Sequence, residues 1–533
     1  MNAHETYAPH APVPRPGTAG SAPTRIPARA SDASYTLLHE GLDVAALTWP
    51  GRPALTCGER TLSYRELADA SLRAAHLLRL AGAGRGDRVV VSLPNALLGP
   101  VIGYAASRIG AVFCLLHEQV GGTQLHHVLT DSEPALLISD SADVLAAARR
   151  HGVRTVPADE IAATALDPGA PLPDRTGATV LGVDPLCMIY TSGSTALPKA
   201  VVSTHQQVVF AVRAVQQVLR YRADDIVYCP LPLSFDYGLY QVFLAVESGA
   251  HLWIGRAAEA GPPLLSQLIR SAATVLPAVP AVAGTLARLL SRPDRRPTSL
   301  RLLTNTGAAM PPQTVAGLRE ALPGLRIHLM FGLTECKRAT IMPADGDLAR
   351  PYSSGKALPG TEVFVVDDDG KRLPPGETGQ ITVRGPHVMA GYWRRPELTA
   401  ERFHHVGGLF PELRTGDYGW LDEEGYLYFT GRRDDLYKVN GFRVSATEVE
   451  AAARHVEGVE SAAVLPPDGP QAARLYITGT SDPRQVLDGM REHLEDFKIP
   501  ARCTVLDALP LNGNGKVDRK ALTVLTTAEE TRD

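Results

Sequence analysis

The segment that most constrains this chain begins with an apolar tetrad, Leu186, Cys187, Met188 and Ile189. It runs straight into Tyr190-Thr191-Ser192-Gly193-Ser194-Thr195-Ala196-Leu197-Pro198-Lys199-Ala200. The tetrad reads as a buried strand. Four hydroxyl residues and one glycine fill the positions from Thr191 to Thr195, and Lys199 stands four residues further on. A flexible loop leaving a strand, dense in hydroxyls and backbone N–H groups, can wrap a polyphosphate, and a lysine adds positive charge. The loop lacks the G-x-x-x-x-G-K-[ST] spacing of a Walker A sequence. Taken alone, the same residues also suit a plain Ser/Gly turn between two strands.

The flanking chain alternates between two periodicities. Ala and Leu recur at helical spacing from an opening at Thr61-Leu62-Ser63-Tyr64 through Leu80. Arg88–Leu93 reads as a buried strand, 96–109 as a helix and 111–115 as the next strand. This alternation continues to about residue 345 and predicts a layered α/β domain with a parallel sheet. From Gly355 to Arg384 the pattern changes to short strands punctuated by Gly and Pro, a small β-subdomain. Beyond Gly431-Arg432-Arg433-Asp434, the spacing predicts a helix over 446–455, strands at 462–464 and 474–478, and a helix over 483–494. The expected division is an Ala/Pro-rich disordered extension at 1–34, a large domain at 35–431 and a smaller α+β domain at 432–533.

Composition removes several function classes. A length of 533 residues suits more than one domain. A net charge of -4 provides no electrostatic footprint for nucleic acid or an anionic membrane. The six cysteines are scattered, with no C-x-x-C pair, which argues against a zinc site or disulfide framework and for reduced thiols in the cytoplasm. No apolar run approaches membrane-spanning length, and the first residues lack the apolar core of a signal peptide.

Further motifs follow in order. They are Phe331-Gly332-Leu333-Thr334-Glu335, Arg414-Thr415-Gly416-Asp417, Gly431-Arg432-Arg433-Asp434, Lys438-Val439-Asn440-Gly441-Phe442-Arg443 and Asn514-Gly515-Lys516-Val517-Asp518-Arg519. Together with the first loop, this set closely resembles the adenylate-forming superfamily: acyl-CoA synthetases, luciferases and adenylation domains of nonribosomal peptide synthesis. The resemblance spans roughly residues 35 to 525. It implies a large N-terminal domain, a small mobile cap and an active site between them.

The first reaction it implies is attack of a carboxylate on the α-phosphate of ATP, giving an acyl adenylate and pyrophosphate. Two anions must meet, so the protein must neutralise charge and hold geometry. By resemblance, Thr191, Ser192, Gly193, Ser194, Thr195 and Lys199 hold the β- and γ-phosphates. The family usually has glycine where Ala196 and Ala200 stand, and alanine disfavours positive φ there. Glu335 is implied as the Mg²⁺ ligand, Thr334 as a donor to the α-phosphate and Phe331 as the adenine stack. Asp417 would accept from the ribose hydroxyls, Arg432 would contact ribose or phosphates, and Asp434 matches the cap's hinge. Lys516, on a glycine-rich loop, would bridge the substrate carboxylate and the α-phosphate. In the second reaction the cap rotates and presents Lys438 and Gly441 to a pantetheine arm. Read without the resemblance, Phe331-Gly332 is a strand end, Thr415-Gly416-Asp417 a turn, the 432–435 run a solvated linker and Lys516 an exposed lysine.

Leu231-Pro232-Leu233-Ser234-Phe235-Asp236-Tyr237-Gly238-Leu239-Tyr240 aligns with the start of the family's acid-binding helix. Asp236 stands where amino-acid-activating members carry an aspartate for the substrate ammonium. A buried aspartate without a cation is costly. The alternative is a helix-capping Asp. Arg338 falls where the family lines the distal pocket, suiting a substrate with a polar or acidic far end or a salt bridge to Asp236. Phe235, Tyr237, Tyr240, Thr304, Thr306, Gly307 and Met330 complete the expected lining, and its bulk favours a small substrate.

The leading expectation is a free-standing, AMP-forming ligase using ATP and Mg²⁺. It loads a small carboxylic or amino acid onto the phosphopantetheine of a separate carrier protein. The alternatives are an acyl-CoA ligase using free CoA and a non-catalytic nucleotide-binding relative. Neither a nucleic acid nor a membrane is an expected partner.

Overall fold

Two sheets share one hydrophobic core and account for most of the larger domain. The computed structural model describes residues 34–94, 96–174, 179–191, 198–293, 298–406, 411–432, 436–439, 442–467, 472–494, 496–511 and 517–530. Ser192, Gly193, Ser194, Thr195, Asp434, Gly441 and Lys516 lie outside the described residues, as does the extension up to residue 33. For Arg432 and Lys438 only the backbone is described.

The first sheet has seven strands, in the order Gly391–Tyr392, Lys199–Thr204, Pro185–Thr191, Val112–Leu116, Arg88–Ser92, Leu136–Ser139, Arg154–Pro157. Its strands from Pro185–Thr191 to Arg154–Pro157 run parallel, whereas Lys199–Thr204 is antiparallel to both of its neighbours. The second sheet has nine strands and a parallel centre built from Arg326–Phe331, Leu302–Asn305, Val275–Ala278, Ile226–Cys229, His251–Ile254 and Pro53–Cys57. The expected parallel sheet is thus two sheets with antiparallel edges.

The period-two alternation of strands decides which layer each side chain joins. Val89, Val91, Phe113, Cys187 and Ile189 enter the core shared with Val227, Leu252, Leu276 and Ile327 of the second sheet. Val90, Cys114, Leu137 and Met188 point the other way, onto Leu125, Val128 and Leu129 of the helix Gly122–Ser132. Strands buried on both faces read as continuous apolar runs, which is why they stand out in the sequence. The helices Leu98–Ile109 and Asp236–Ser248 are buried at every residue.

The helix expected from Thr61 begins later, at Tyr64, and runs to Leu80. Arg60–Ser63 is instead an edge strand paired with Pro53–Cys57. Ser63 then caps the helix reciprocally with Glu66: the Glu66 N–H donates to Ser63 Oγ at 3.2 Å and the Ser63 N–H to the Glu66 carboxylate at 2.7 Å. The 96–109 expectation starts two residues early, since the helix opens at Leu98.

An antiparallel sheet of Glu362–Val366, Gly379–Arg384, Pro411–Leu421 and Phe403–His405, with Leu427–Arg432 alongside, forms the β-subdomain. Residues from Tyr437 to Leu494 gather around a core of their own, in which Val444, Val449, Val464, Leu475 and Met490 are fully buried. Its helix spans Ala446–His455, as the periodicity predicts. The segment expected as one helix over 483–494 is an α-helix only over Pro483–Gly489, followed by a short 3-10 turn. Gln313 Nε2 donates to the Arg454 carbonyl at 3.3 Å, a contact between this unit and the larger domain.

Candidate active site

The turn after the strand Arg326–Phe331 joins two groups of side chains. It reverses tightly: a Cβ at Gly332 would lie 2.4 Å from the Lys337 carbonyl oxygen and 2.8 Å from the Arg338 Cα, so only glycine fits. The Cys336 and Lys337 N–H groups both donate to the Leu333 carbonyl, and Lys337 is held at φ 64. Phe331, Thr334, Glu335, Lys337 and Arg338 are thereby gathered on one loop.

Glu335 faces the hydroxyl-rich hairpin. Thr191 ends one strand and Lys199 opens the next, directly opposite in register. Lys199 Nζ lies 3.8 Å from Glu335 Oε1 and 4.0 Å from the centre of the Tyr392 ring. The Tyr392 hydroxyl donates to the same Glu335 oxygen at 2.7 Å, and the Met389 N–H donates to the Glu335 carbonyl at 2.8 Å. Burial, reinforced by the Glu335 carboxylate, raises the Tyr392 phenol pKa far above its ordinary value, so it remains a donor. Tyr392 carries no signal in the sequence, because its partner is 57 residues away.

Phe331 packs against Phe429 with ring centres 5.7 Å apart, and both rings are partly exposed. Asp417 is 3% exposed and sits within the strand Pro411–Leu421, paired in register with Arg432, so the plain-turn alternative fails. Its N–H donates to Thr415 Oγ1 at 3.1 Å, and that hydroxyl donates to the Ile381 carbonyl at 2.7 Å. Thr334 is half-buried, and its carbonyl accepts from Lys337 Nζ at 2.8 Å.

On the other side of the turn lies a buried charged cluster. Asp236 is the first residue of the helix Asp236–Ser248, but the cap position is Phe235 and no side chain caps it, so the capping alternative fails. Asp236 Oδ2 instead faces Arg338 Nη1 at 3.8 Å, with the two side chains 5% and 7% exposed. The Arg338 guanidinium lies 4.6 Å over the Tyr237 ring and donates to the Lys337 carbonyl at 2.5 Å. Lys337, absent from the sequence expectations, is 2% exposed, with Nζ 5.8 Å from the centre of the Tyr240 ring.

Phe235, Asp236, Tyr237, Thr304 and Arg338 of the expected lining are joined by contacts here. The Tyr237 hydroxyl bonds to the carbonyl and Oγ1 of Thr304, both at 2.7 Å, and its ring meets Phe235 edge-on. Thr306 and Met330 are buried, and Gly307 takes φ 93. A Cβ at Gly238 would stand 2.2 Å from the Pro232 carbonyl oxygen, which fixes glycine where the loop enters the helix. The Tyr240 hydroxyl and both ring nitrogens of buried His387 find no hydrogen-bond partner of good geometry among the described residues. Burial lowers the His387 pKa to about 4, opposed by the Arg338 backbone and assisted by Lys337, so the ring is neutral.

Two pockets of chemistry therefore share one turn: a carboxylate beside a lysine, and a loose buried ion pair with a second cation. Glu335 offers a hard oxygen of the kind that holds Mg²⁺ through one carboxylate plus substrate phosphates. No cluster of three or more potential His, Cys, Asp or Glu ligands exists among the described residues.

The family model for AMP-binding enzymes matches residues 42–393. Delta-poly-L-ornithine synthetase of Acinetobacter baumannii is 31% identical over 90% of this chain, which spans only 36% of that protein's length. The L-proline–[L-prolyl-carrier protein] ligase of Streptomyces coelicolor is 30% identical over 88% of this chain and 93% of its own. A solved structure of VinN with L-aspartate is 39% identical, with a TM-score of 0.67 over 74% of this chain and 98% of that one. The fold and these likenesses agree: the chain belongs to the AMP-binding enzyme family, ligases that activate a carboxylate as its adenylate before passing it to a thiol.

Proposed function

We propose that this chain activates a small amino acid bearing a second carboxylate, an amino dicarboxylic acid of aspartate size, and loads it onto a carrier-protein phosphopantetheine. The observation that carries this reading is the Asp236–Arg338–Lys337 cluster. One buried cation, Arg338, faces the buried Asp236 carboxylate at a distance too long for a hydrogen bond, and a second buried cation, Lys337, is its chain neighbour. A zwitterion can enter such a pair with its ammonium to Asp236 and a carboxylate to Arg338 and Lys337, replacing a loose contact by charge-assisted bonds. VinN, with L-aspartate in its solved structure, supports the same substrate class.

The chemistry follows from charge. The reacting carboxylate oxygen bonds to the α-phosphorus, and the bond to pyrophosphate breaks. Lys199 and the hydroxyl-rich hairpin hold the departing phosphates, Phe331 and Asp417 hold adenine and ribose, and Thr334 orients the α-phosphate. Glu335 would hold Mg²⁺, which would supply neutralisation of phosphate charge. Lys516 offsets the approach of the two anions. The cap then turns about Asp434, Lys438 and Gly441 approach the thiol arm, and the thiol sulfur displaces AMP from the acyl carbon.

Pyrophosphate exchange with aspartate, alanine, succinate and benzoate tests the reading. Aspartate should exceed alanine and succinate by at least about tenfold, since each lacks one charged group the pocket is built to pair. Preference for benzoate would overturn it. Holo-carrier protein against free CoA as acceptor separates the two thiol routes.

A further inference from the structure

The helix Gly122–Ser132 contributes no residue to the clefts described above, yet it grips both shoulders of the hydroxyl-rich hairpin. Leu125, Val128 and Leu129 anchor it to the outer face of the seven-stranded sheet. His127 and Asp131, four residues apart, lie on one face of it. His127 Nε2 contacts the Pro198 carbonyl at 2.7 Å. A carbonyl only accepts, so Nε2 carries the proton. Asp131 Oδ2 accepts from the Tyr190 hydroxyl at 2.9 Å. Tyr190 precedes Thr191 at the hairpin's entry, and Pro198 precedes Lys199 at its exit.

The same helix also holds the strand that carries Tyr392. Asp131 Oδ1 accepts from Arg395 Nη2 at 2.8 Å, and the Asp131 carbonyl accepts from Trp393 Nε1 at 2.9 Å. The Trp393 N–H donates to the Ala200 carbonyl at 3.0 Å, and Tyr392 pairs with Val201 in register. The contacts close a ring: helix, hairpin exit, Lys199, Glu335, Tyr392, and back to the helix through Trp393 and Arg395.

We propose that His127 is a positioning residue for nucleotide binding: with Asp131 it makes this helix a splint that sets where Lys199 stands relative to Glu335 and the ATP phosphates. The inference rests on Lys199 as a phosphate ligand. It does not depend on which acid is activated. His127 touches a backbone carbonyl rather than substrate, so its effect must pass through the hairpin exit.

The test compares two nucleotides that need no acid. Calorimetry measures the Kd of α,β-methylene-ATP with Mg²⁺, which reaches the hairpin, and of AMP, which lacks the outer phosphates. His127→Ala should weaken the ATP analogue about five- to tenfold, the order expected for one lost hydrogen bond, and leave AMP within about twofold. His127→Gln, whose amide nitrogen can occupy the Nε2 position, should restore the analogue. Equal analogue affinity in His127→Ala, parallel weakening of AMP, or no recovery in His127→Gln overturns the proposal. Lys199→Met provides the control: if it leaves analogue binding intact, Lys199 is no phosphate ligand and the inference falls with it. If no amino acid supports exchange but the analogue series behaves as stated, the substrate reading alone fails.

Discussion

The Tyr392 hydroxyl donates to Glu335 Oε1, the same oxygen that Lys199 Nζ approaches to 3.8 Å. The tyrosine thus fixes the rotamer of the carboxylate proposed to hold Mg²⁺. Tyr392→Phe removes that donor while keeping the ring under Lys199. One hydrogen bond of this kind contributes about 1 kcal/mol. Pyrophosphate-exchange kinetics should show kcat/KM for MgATP falling about fivefold, with a higher Mg²⁺ requirement and an unchanged KM for the acid. A change confined to the acid KM would remove Tyr392 from the nucleotide site.

The Asp236–Arg338 pair makes a different prediction, because both side chains are nearly water-free. Arg338→Gln leaves Asp236 a buried charge with a weaker partner set. Breaking a buried pair from one side costs roughly 3–5 kcal/mol. Asp236→Asn combined with Arg338→Gln removes both charges and should regain most of that stability in urea unfolding. Activity should not return with it, since the groups that read a zwitterion are gone. A stable double variant that still activates an amino dicarboxylic acid would show that the pair is purely structural.

Lys516 offers a test of the half-reactions. Lys516→Ala should lower acid-dependent pyrophosphate exchange by at least about a hundredfold, the order of one lost charge-stabilising donor in a transition state. Thioester formation from preformed acyl adenylate should be largely spared. Unchanged exchange would place Lys516 outside adenylation.

What the sequence made legible follows from how locally each feature is encoded. The strands at 88–92 and 112–116 announce themselves because both faces are buried. The helix Ala446–His455 does so because one face is. Thr61 and Leu62 read as helix because nothing local reveals that they pair with Thr56 and Leu55 across a sheet edge. At the site, a salt bridge to Asp236 is one of two sequence expectations for Arg338, and the two side chains approach to 3.8 Å; the helix start removes only the separate expectation that Asp236 is a cap. Lys337 is not legible in the sequence, because a lysine beside an arginine carries no local signal of burial. A left-handed backbone and a reversal at Gly332 are what turn it inward. Tyr392 and His127 depend on a crossover strand and an outer helix meeting one hairpin, and no spacing rule encodes either contact.

Buried histidines give the fold a pH dependence whose sign can be worked out. Burial lowers the pKa of His39 to about 3, and those of His205, His251 and His387 to about 4. His328 is lowered as well, again chiefly by burial. In the unfolded chain each returns to an ordinary value near 6.5. Below that pH the unfolded state takes up protons that the folded state refuses, so stability falls as pH drops from about 6.5 towards 4 and is fully present above that window. Glu247 is raised by burial and acts in the opposite sense, but it is one group against five. Each histidine contributes a slope of at most about 1.4 kcal/mol per pH unit. His251 Nε2 bonds to Thr56 Oγ1 at 2.7 Å, a contact that glutamine can replace. Urea midpoints measured from pH 7.5 down to 4.5 should therefore decline less steeply in His251→Gln than in the parent chain. Superimposable slopes would mean that His251 is protonated equally in both states and that its burial does not exclude the charge.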